Sequence, residues 1–365
     1  MKRILILTTG SYVFGTEKVI LQLLKGLKTE FEFYCLVNGW NDGRFIDQLT
    51  KMEIPYSQHK LGWYYISKLF WSIDSLIHLP KALIQFIRIR SNFDLFYTST
   101  FRNIILLYPF INKKVIYHVH EFNSHSRVNR FFIQLTNRKV NKYIAVSKCI
   151  KDDLIIMGIM PSKIVVVYNG VDCSNDFENL NNTDSKVRIG IVGQLSRHKG
   201  HIELINVFSK IHVKNQNIEL KIFGSGSEVF KSEVVNLIKE HYLKEKVILN
   251  EYTHDIANIY REIDILCVPT QHAEPFGLVA CEAAAFSLPV IASNKGGLTE
   301  IIIDNVTGFL INSDNPLEFE EMLNKLIVSE TIRRKMGDNA RLHIIEKFNE
   351  RIFIRELKNQ INSIS

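Results

Sequence analysis

Residues 269–297 read PTQHAEPFGLVACEAAAFSLPVIASNKGG, and two carboxylates, Glu274 and Glu282, stand eight positions apart within them. Between the two lie Pro275, a Phe-Gly pair and a run of small apolar residues. Proline suits the first turn of a helix, where its missing N–H costs nothing. Ala280–Ala285 is a good helix former, and Pro289 is expected to end the helix. On this reading Glu274 sits at the mouth of a helix and Glu282 lies two turns along it. Gly277 lets a ligand approach the backbone closely. The first-turn amides point outward with the positive end of the helix dipole behind them, which makes an anion site with a carboxylate at its lip. A bare anion gains nothing from carboxylates. A phosphate joined to sugars does, because hydroxyls donate to carboxylates while the phosphate takes the amides. The plainer reading is a buried amphipathic helix with a glutamate at each end.

The string EPFGLVACE resembles the Glu-x7-Glu pattern of retaining glycosyltransferases of family 4, which have the GT-B fold, and LPVIASNKGGLTEIIIDNVTGFLI is similar to the same family. The resemblance implies an α/β chain of two doubly wound Rossmann-like domains facing across a cleft. The first would hold the acceptor and the second the nucleotide sugar. Expected bounds are 1–172 for the first domain, 173–185 for a linker, 186–345 for the second domain, and 346–365 for a helix returning to the first.

Composition agrees with two domains: 365 residues exceed one ordinary core. Apolar residues make up 46% and charged ones 23%, as in a soluble globular protein. The five cysteines, at 35, 149, 173, 267 and 281, form no CxxC pair, so neither a zinc site nor a disulfide framework is indicated. The thiols and the Lys2-Arg3 start suit a cytoplasmic protein, and no uncharged run reaches the length of a membrane span. A net charge of +7 suits nucleic acid, anionic lipid or phosphorylated substrates. Nucleic acid is set aside because zinc-finger and RNP patterns are absent.

In the first half, Lys2–Thr8 is a continuous apolar run, as a buried parallel strand would be. Gly10 and Gly15 then flank a loop before an amphipathic helix with Val19, Ile20, Leu23, Leu24 and Leu27 inward. Strand-like runs recur at Phe31–Val37, Leu95–Thr98, Lys114–His120, Lys142–Val146 and Lys163–Tyr168, and the alternation argues for a parallel sheet. In VIYHVHEFN, His118 and His120 share one face of a strand. A metal would need a third ligand, which the spacing does not supply. Residues 61–90 mix Trp63, Tyr64, Tyr65, Phe70, Trp71 and Phe86 with Lys68, Lys81, Arg88 and Arg90. One reading is an amphipathic helix pair broken at Pro80. The other is a surface that meets anionic lipid at the inner face of the membrane, as a lipid-carried acceptor would need.

Cys173–Ser185 is polar and aperiodic, as a linker is. The pattern restarts at Val187–Val192, and GQLSRHKGH leads into a helix at Ile202–Ile211, a second phosphate cradle in which Arg197 and Lys199 can reach a diphosphate. Ile218–Phe223 ends in GSGSE, with Gly224 and Gly226 in a tight turn. Val247–Leu249, Ile263–Val268 and a strand ending at Lys295 complete the pattern, and Asp264 is read as structural.

The resemblance also implies roles. Glu282 would accept from ribose hydroxyls and Glu274 from hydroxyls of the donated sugar. Lys199, with Arg197 standing in for the family arginine that Gln194 replaces, and the amides of Phe276, Gly277 and Leu278 would hold the leaving diphosphate. Gly224 would lie near the base and Gly15 near the donor. His120 would bond a sugar hydroxyl. The first glycine loop reads FGTE where the family has Gly-Gly-x-Glu, and Ser287 stands where it has a glycine. The implied reaction moves a sugar from a UDP- or GDP-linked donor to a glycan or lipid-linked saccharide, with retention and without a metal or cofactor. The alternatives are a nucleotide-sugar epimerase or phosphorylase of the same architecture, or a non-catalytic nucleotide-sugar-binding subunit.

Overall fold

The structure is a computed structural model; it describes residues 1–8, 13, 15–59, 69–174, 186–251, 253 and 255–364, with the side chains of 69–71 left out. The chain divides into two compact units, Met1–Gly170 with Arg351–Ser365, and Val171–Glu350.

The first unit alternates β1 (Lys2–Leu7), α1 (Gly15–Leu27), β2 (Phe31–Asn38), α2 (Arg44–Lys51), β3 (Tyr56–His59), α3 (Leu69–Ile89), β4 (Leu95–Thr98), α4 (Phe101–Leu107), β5 (Lys114–Val119), α5 (Arg127–Thr136), β6 (Lys142–Ala145), α6 (Lys148–Ile156) and β7 (Ile164–Val166). Its seven strands lie in the order β3-β2-β1-β4-β5-β6-β7 and every pairing is parallel. Buried on both faces, β1 and β4 need apolar side chains throughout: Ile4, Leu5, Ile6, Leu95, Phe96 and Tyr97 are all at most 1% exposed. The five inward residues expected of α1 are buried as read.

The expected break at Pro80 is overturned: α3 runs from Leu69 to Ile89 through the proline. Pro80 stands exposed, so the carbonyl it leaves without a helical donor can reach water. Strand β3 was not foreseen, because YSQH is short and polar. The aromatic calls at Trp63, Tyr64 and Tyr65, the side chains of Phe70 and Trp71, the loop at Gly10 and most of the linker lie outside the described residues.

The second unit holds β8 (Val187–Val192), α7 (His201–Lys214), β9 (Ile218–Phe223), α8 (Glu228–Glu240), β10 (Val247–Asn250), α9 (Ile256–Arg261), β11 (Ile265–Val268), α10 (Leu278–Ala285), β12 (Val290–Ser293), α11 (Leu298–Ile301), β13 (Gly308–Ile311), α12 (Pro316–Val328) and α13 (Glu330–Lys347). Its sheet is again parallel, in the order β10-β9-β8-β11-β12-β13. The last helix, α14 (Glu350–Asn362), buries Phe353, Leu357 and Ile361, and Lys2 Nζ donates to the carbonyls of Ile361 (3.0 Å) and Ile364 (2.7 Å). The return begins where Val171 and Asn349 pair as a single bridge, with Val171 N–H donating to Phe348 O at 2.8 Å.

Strand order reverses between β8 and β11. In an open parallel sheet the crevice at that switch point, outside the carboxyl ends of the strands, is where ligands bind. The loops leaving it are those after β8, carrying Arg197 and Lys199, and after β11, carrying Glu274.

Candidate active site

The two switch-point loops are laced together. His198 O accepts from Gln271 N–H at 2.7 Å and from the Thr270 hydroxyl at 3.0 Å. Arg197–Lys199 forms a single 3-10 turn, and Gly200, at φ +81°, swings the chain into α7. This brings Lys199 Nζ within 2.5 Å of Glu274 Oε1, with the two side chains 28% and 15% exposed. A lysine and a glutamate 75 positions apart thus share one point at the carboxyl edge of the sheet.

The local backbone differs from the expectation in one respect. Pro275 is not in the first turn. Gly277 is the residue before the helix, at φ +114°, and α10 begins at Leu278. That conformation favours glycine, and an added Cβ would also lie 2.7 Å from a Leu298 methyl. Glu274 is instead held in extended backbone, bridged to Gly296, with Gly297 N–H donating to Glu274 O at 2.7 Å. Glu282 therefore lies about one turn into the helix, not two. The Tyr260 hydroxyl, 2.9 Å from Glu282 Oε2, fixes that carboxylate.

Other expected residues fall out differently. Phe276 is 3% exposed and its ring faces Phe348 at 5.9 Å, so its side chain is an anchor. Leu278 opens the helix, whose first amides have no acceptor inside it. Gly224 is set by close approach: a Cβ there would meet Gly193 O at 1.9 Å, so it lets the ends of β8 and β9 touch. Gly15 is the exposed first residue of α1. Arg197 does not join Lys199. Its guanidinium, 71% exposed, lies 2.6 and 2.7 Å from the two oxygens of Glu233 on α8. Asp264 is structural as read, accepting from Arg188 N–H at 2.7 Å.

In the first unit His120 follows β5 directly, its ring 4.1 Å from that of His118. His118 Nδ1 lies 2.6 Å from the Tyr97 hydroxyl. Burial pushes His120 down to about 3 and His118 well below the usual histidine range, so both rings are neutral hydrogen-bonding groups near pH 7. Neither Nε2 has a hydrogen-bond partner among the described residues. Among the described residues, no group of three or more His, Cys, Asp or Glu side chains gathers to hold a metal.

Sequence reading missed Tyr260, Glu233, His198 and His272. The last two gave a faint signal, flanking Lys199 and Glu274, but a lone histidine in a loop carries little. Tyr260 gave none, since only the fold brings α9 against α10.

Two doubly wound domains, each a parallel sheet with alternating helices, are the architecture of the GT-B class of proteins. The descriptions "Glycosyl transferases group 1" and "Glycosyltransferase Family 4" match residues 173–343 and 13–175, which together take in nearly the whole chain. The chain belongs to the family 4, group 1 glycosyltransferases. It is 30% identical over 238 residues, 60% of its length, to the capsular polysaccharide biosynthesis glycosyltransferase CapM of Staphylococcus aureus, and it spans about three fifths of the length of that relative (61%). It is 26% identical over 350 residues, 90% of each chain, to a Campylobacter jejuni enzyme described as an N-acetylgalactosamine-N,N'-diacetylbacillosaminyl-diphospho-undecaprenol 4-alpha-N-acetylgalactosaminyltransferase. The fold matches Anabaena HepE, solved in complex with UDP and glucose, at a TM-score of 0.85 and 21% identity, covering both chains fully.

Proposed function

We propose that the protein transfers a sugar, with retention and without a metal, from a UDP- or GDP-linked donor to a glycan or lipid-linked saccharide in surface polysaccharide synthesis. The observation that carries this reading is the Lys199–Glu274 pair at the mouth of α10. A nucleotide sugar offers each partner something better: phosphate oxygens for the ammonium and sugar hydroxyls for the carboxylate. Charge that builds on the departing diphosphate then meets Lys199 and the first amides of α10, which are already in place. Glu282, fixed by Tyr260, takes the ribose hydroxyls. The relatives' names, in capsular polysaccharide synthesis and with a diphospho-undecaprenol acceptor, support the acceptor class.

A lipid-linked acceptor is also favoured by α3. Ile73, Leu76, Ile77 and Ile84 are exposed at helical spacing, 50–69% each, with Lys81 and Arg88 exposed among them. An apolar stripe edged by cations suits peripheral contact with an anionic bilayer.

The test is a panel of UDP- and GDP-sugars with and without a polyprenyl-diphosphate saccharide. One donor is expected to raise the melting temperature and to be consumed only when acceptor is present. Lys199→Ala is expected to cut turnover by roughly 10²–10³, as loss of a preorganised oxyanion donor does. Turnover of donor without any acceptor would favour the epimerase reading, and donor binding without any turnover the non-catalytic one.

A further inference from the structure

Lys199, Arg197 and Lys295 each have a carboxylate partner within the protein. Lys199 is neutralised by Glu274 at 2.5 Å. Arg197 is committed to Glu233, and Lys295 is held by Gln271 O (3.1 Å), the Ser313 hydroxyl (2.8 Å) and Asp314 (3.5 Å). His198, on the loop after β8, and His272, on the loop after β11, lie with their rings parallel to within 10° and 5.8 Å apart. His198 adjoins Lys199 in the chain, His272 is two residues before Glu274, and both charges of the ion pair act on the His198 ring.

We propose that His198 and His272 form a proton-dependent hold on the donor diphosphate, so that binding of the diphosphate is coupled to uptake of a proton. The proposal rests on the donor reading above and names further binding residues for it. The groups that face His198 set the sign. Burial, Lys199 and the neighbouring His272 disfavour its charged form, and Glu274 favours it. His201, at the start of α7, is itself kept neutral, pushed down to about 4 chiefly by burial. The Ser196 hydroxyl lies 3.5 Å from His198 Nε2 and orients the ring without adding charge. A diphosphate diester brings fixed negative charge to this point and reverses the balance, so an imidazolium becomes the favoured form and donates to a phosphate oxygen. Binding then takes up a proton, and affinity rises as pH falls from about 8 to about 6.

The experiment is calorimetry of UDP-glucose and GDP-mannose near pH 7, in buffers of different ionisation enthalpy, with uridine as the control lacking phosphate. Whichever nucleotide sugar binds is expected to show an enthalpy that varies with the buffer and reports a fraction of a proton taken up; uridine shows none. His198→Gln/His272→Gln is expected to abolish that dependence and to weaken binding roughly tenfold, as loss of a charge-assisted bond does. His272→Gln alone, at an exposed position, is expected to reduce both and serves if the double variant is unstable. Binding with no buffer dependence in the intact protein, or uptake retained in the double variant, overturns the histidine proposal and leaves the donor reading standing. Failure of both nucleotide sugars to bind overturns the two together.

Discussion

At the scale of single residues, the two cations of the RHKG turn have different fates. Lys199 is drawn onto Glu274, while Arg197 is drawn outward onto Glu233. An exposed ion pair is worth roughly 0–1 kcal/mol, because water screens it and two long side chains lose freedom. Arg197→Ala is therefore expected to change affinity for a nucleoside diphosphate less than about threefold, as titration calorimetry would measure. A loss of tenfold or more would return Arg197 to the phosphate site and mean that Glu233 releases it when donor binds. The glutamate pair was legible in the sequence because both residues lie on one local stretch. Tyr260 was not, because its contact with Glu282 depends on where α9 falls.

At the scale of elements, α10 is held at its far end by α13. The Arg341 guanidinium donates to Ala285 O, a last-turn carbonyl with no helical donor of its own. After the helix, Ser287 takes a left-handed φ of 57°, and Gly337 on α13 lies so close that an added Cβ would meet Ser287 O at 1.9 Å. This explains the departure at Ser287: the position asks for glycine by its backbone conformation, a demand no ligand makes. Gly337→Ala must push α13 off that turn, and overpacking of this kind costs about 1–3 kcal/mol. Its melting temperature is expected to fall by several degrees, with donor affinity falling too because Glu282 moves with α10. Ser287→Gly relieves the left-handed residue and is expected not to lower the melting temperature. A Gly337→Ala variant as stable as the parent would show that the turn has room to shift.

At the scale of the whole molecule, the first unit carries a helix whose outer face is apolar. No helix among the described residues is long and apolar enough to cross a bilayer, so contact there would be with the surface. In flotation with vesicles of graded anionic content, binding is expected to rise with anionic lipid and to fall partly in high salt, since each cation at such a surface contributes ~1 kcal/mol. Ile77→Glu with Ile84→Glu is expected to remove the salt-resistant remainder. A protein that stays unbound at low salt on fully anionic vesicles would point to a soluble saccharide as acceptor.

The sequence by itself determined the two parallel sheets, because apolar runs alternating with amphipathic stretches can be buried on both faces only in that arrangement. It determined the family through EPFGLVACE, a contiguous string. Only the tertiary structure decided which loop residues meet. The 75 positions between Lys199 and Glu274 are closed by β8 and β11 lying side by side, and sequence spacing carries no trace of that adjacency. The structure also decided that the helix opens after Gly277 and leaves Pro275 outside its first turn, and at Gly277 a φ of +114° and the Leu298 side chain leave room for nothing larger. It decided that α3 passes unbroken through Pro80, since a proline facing water leaves its orphaned carbonyl to the solvent, and the direction a residue faces is settled only by packing.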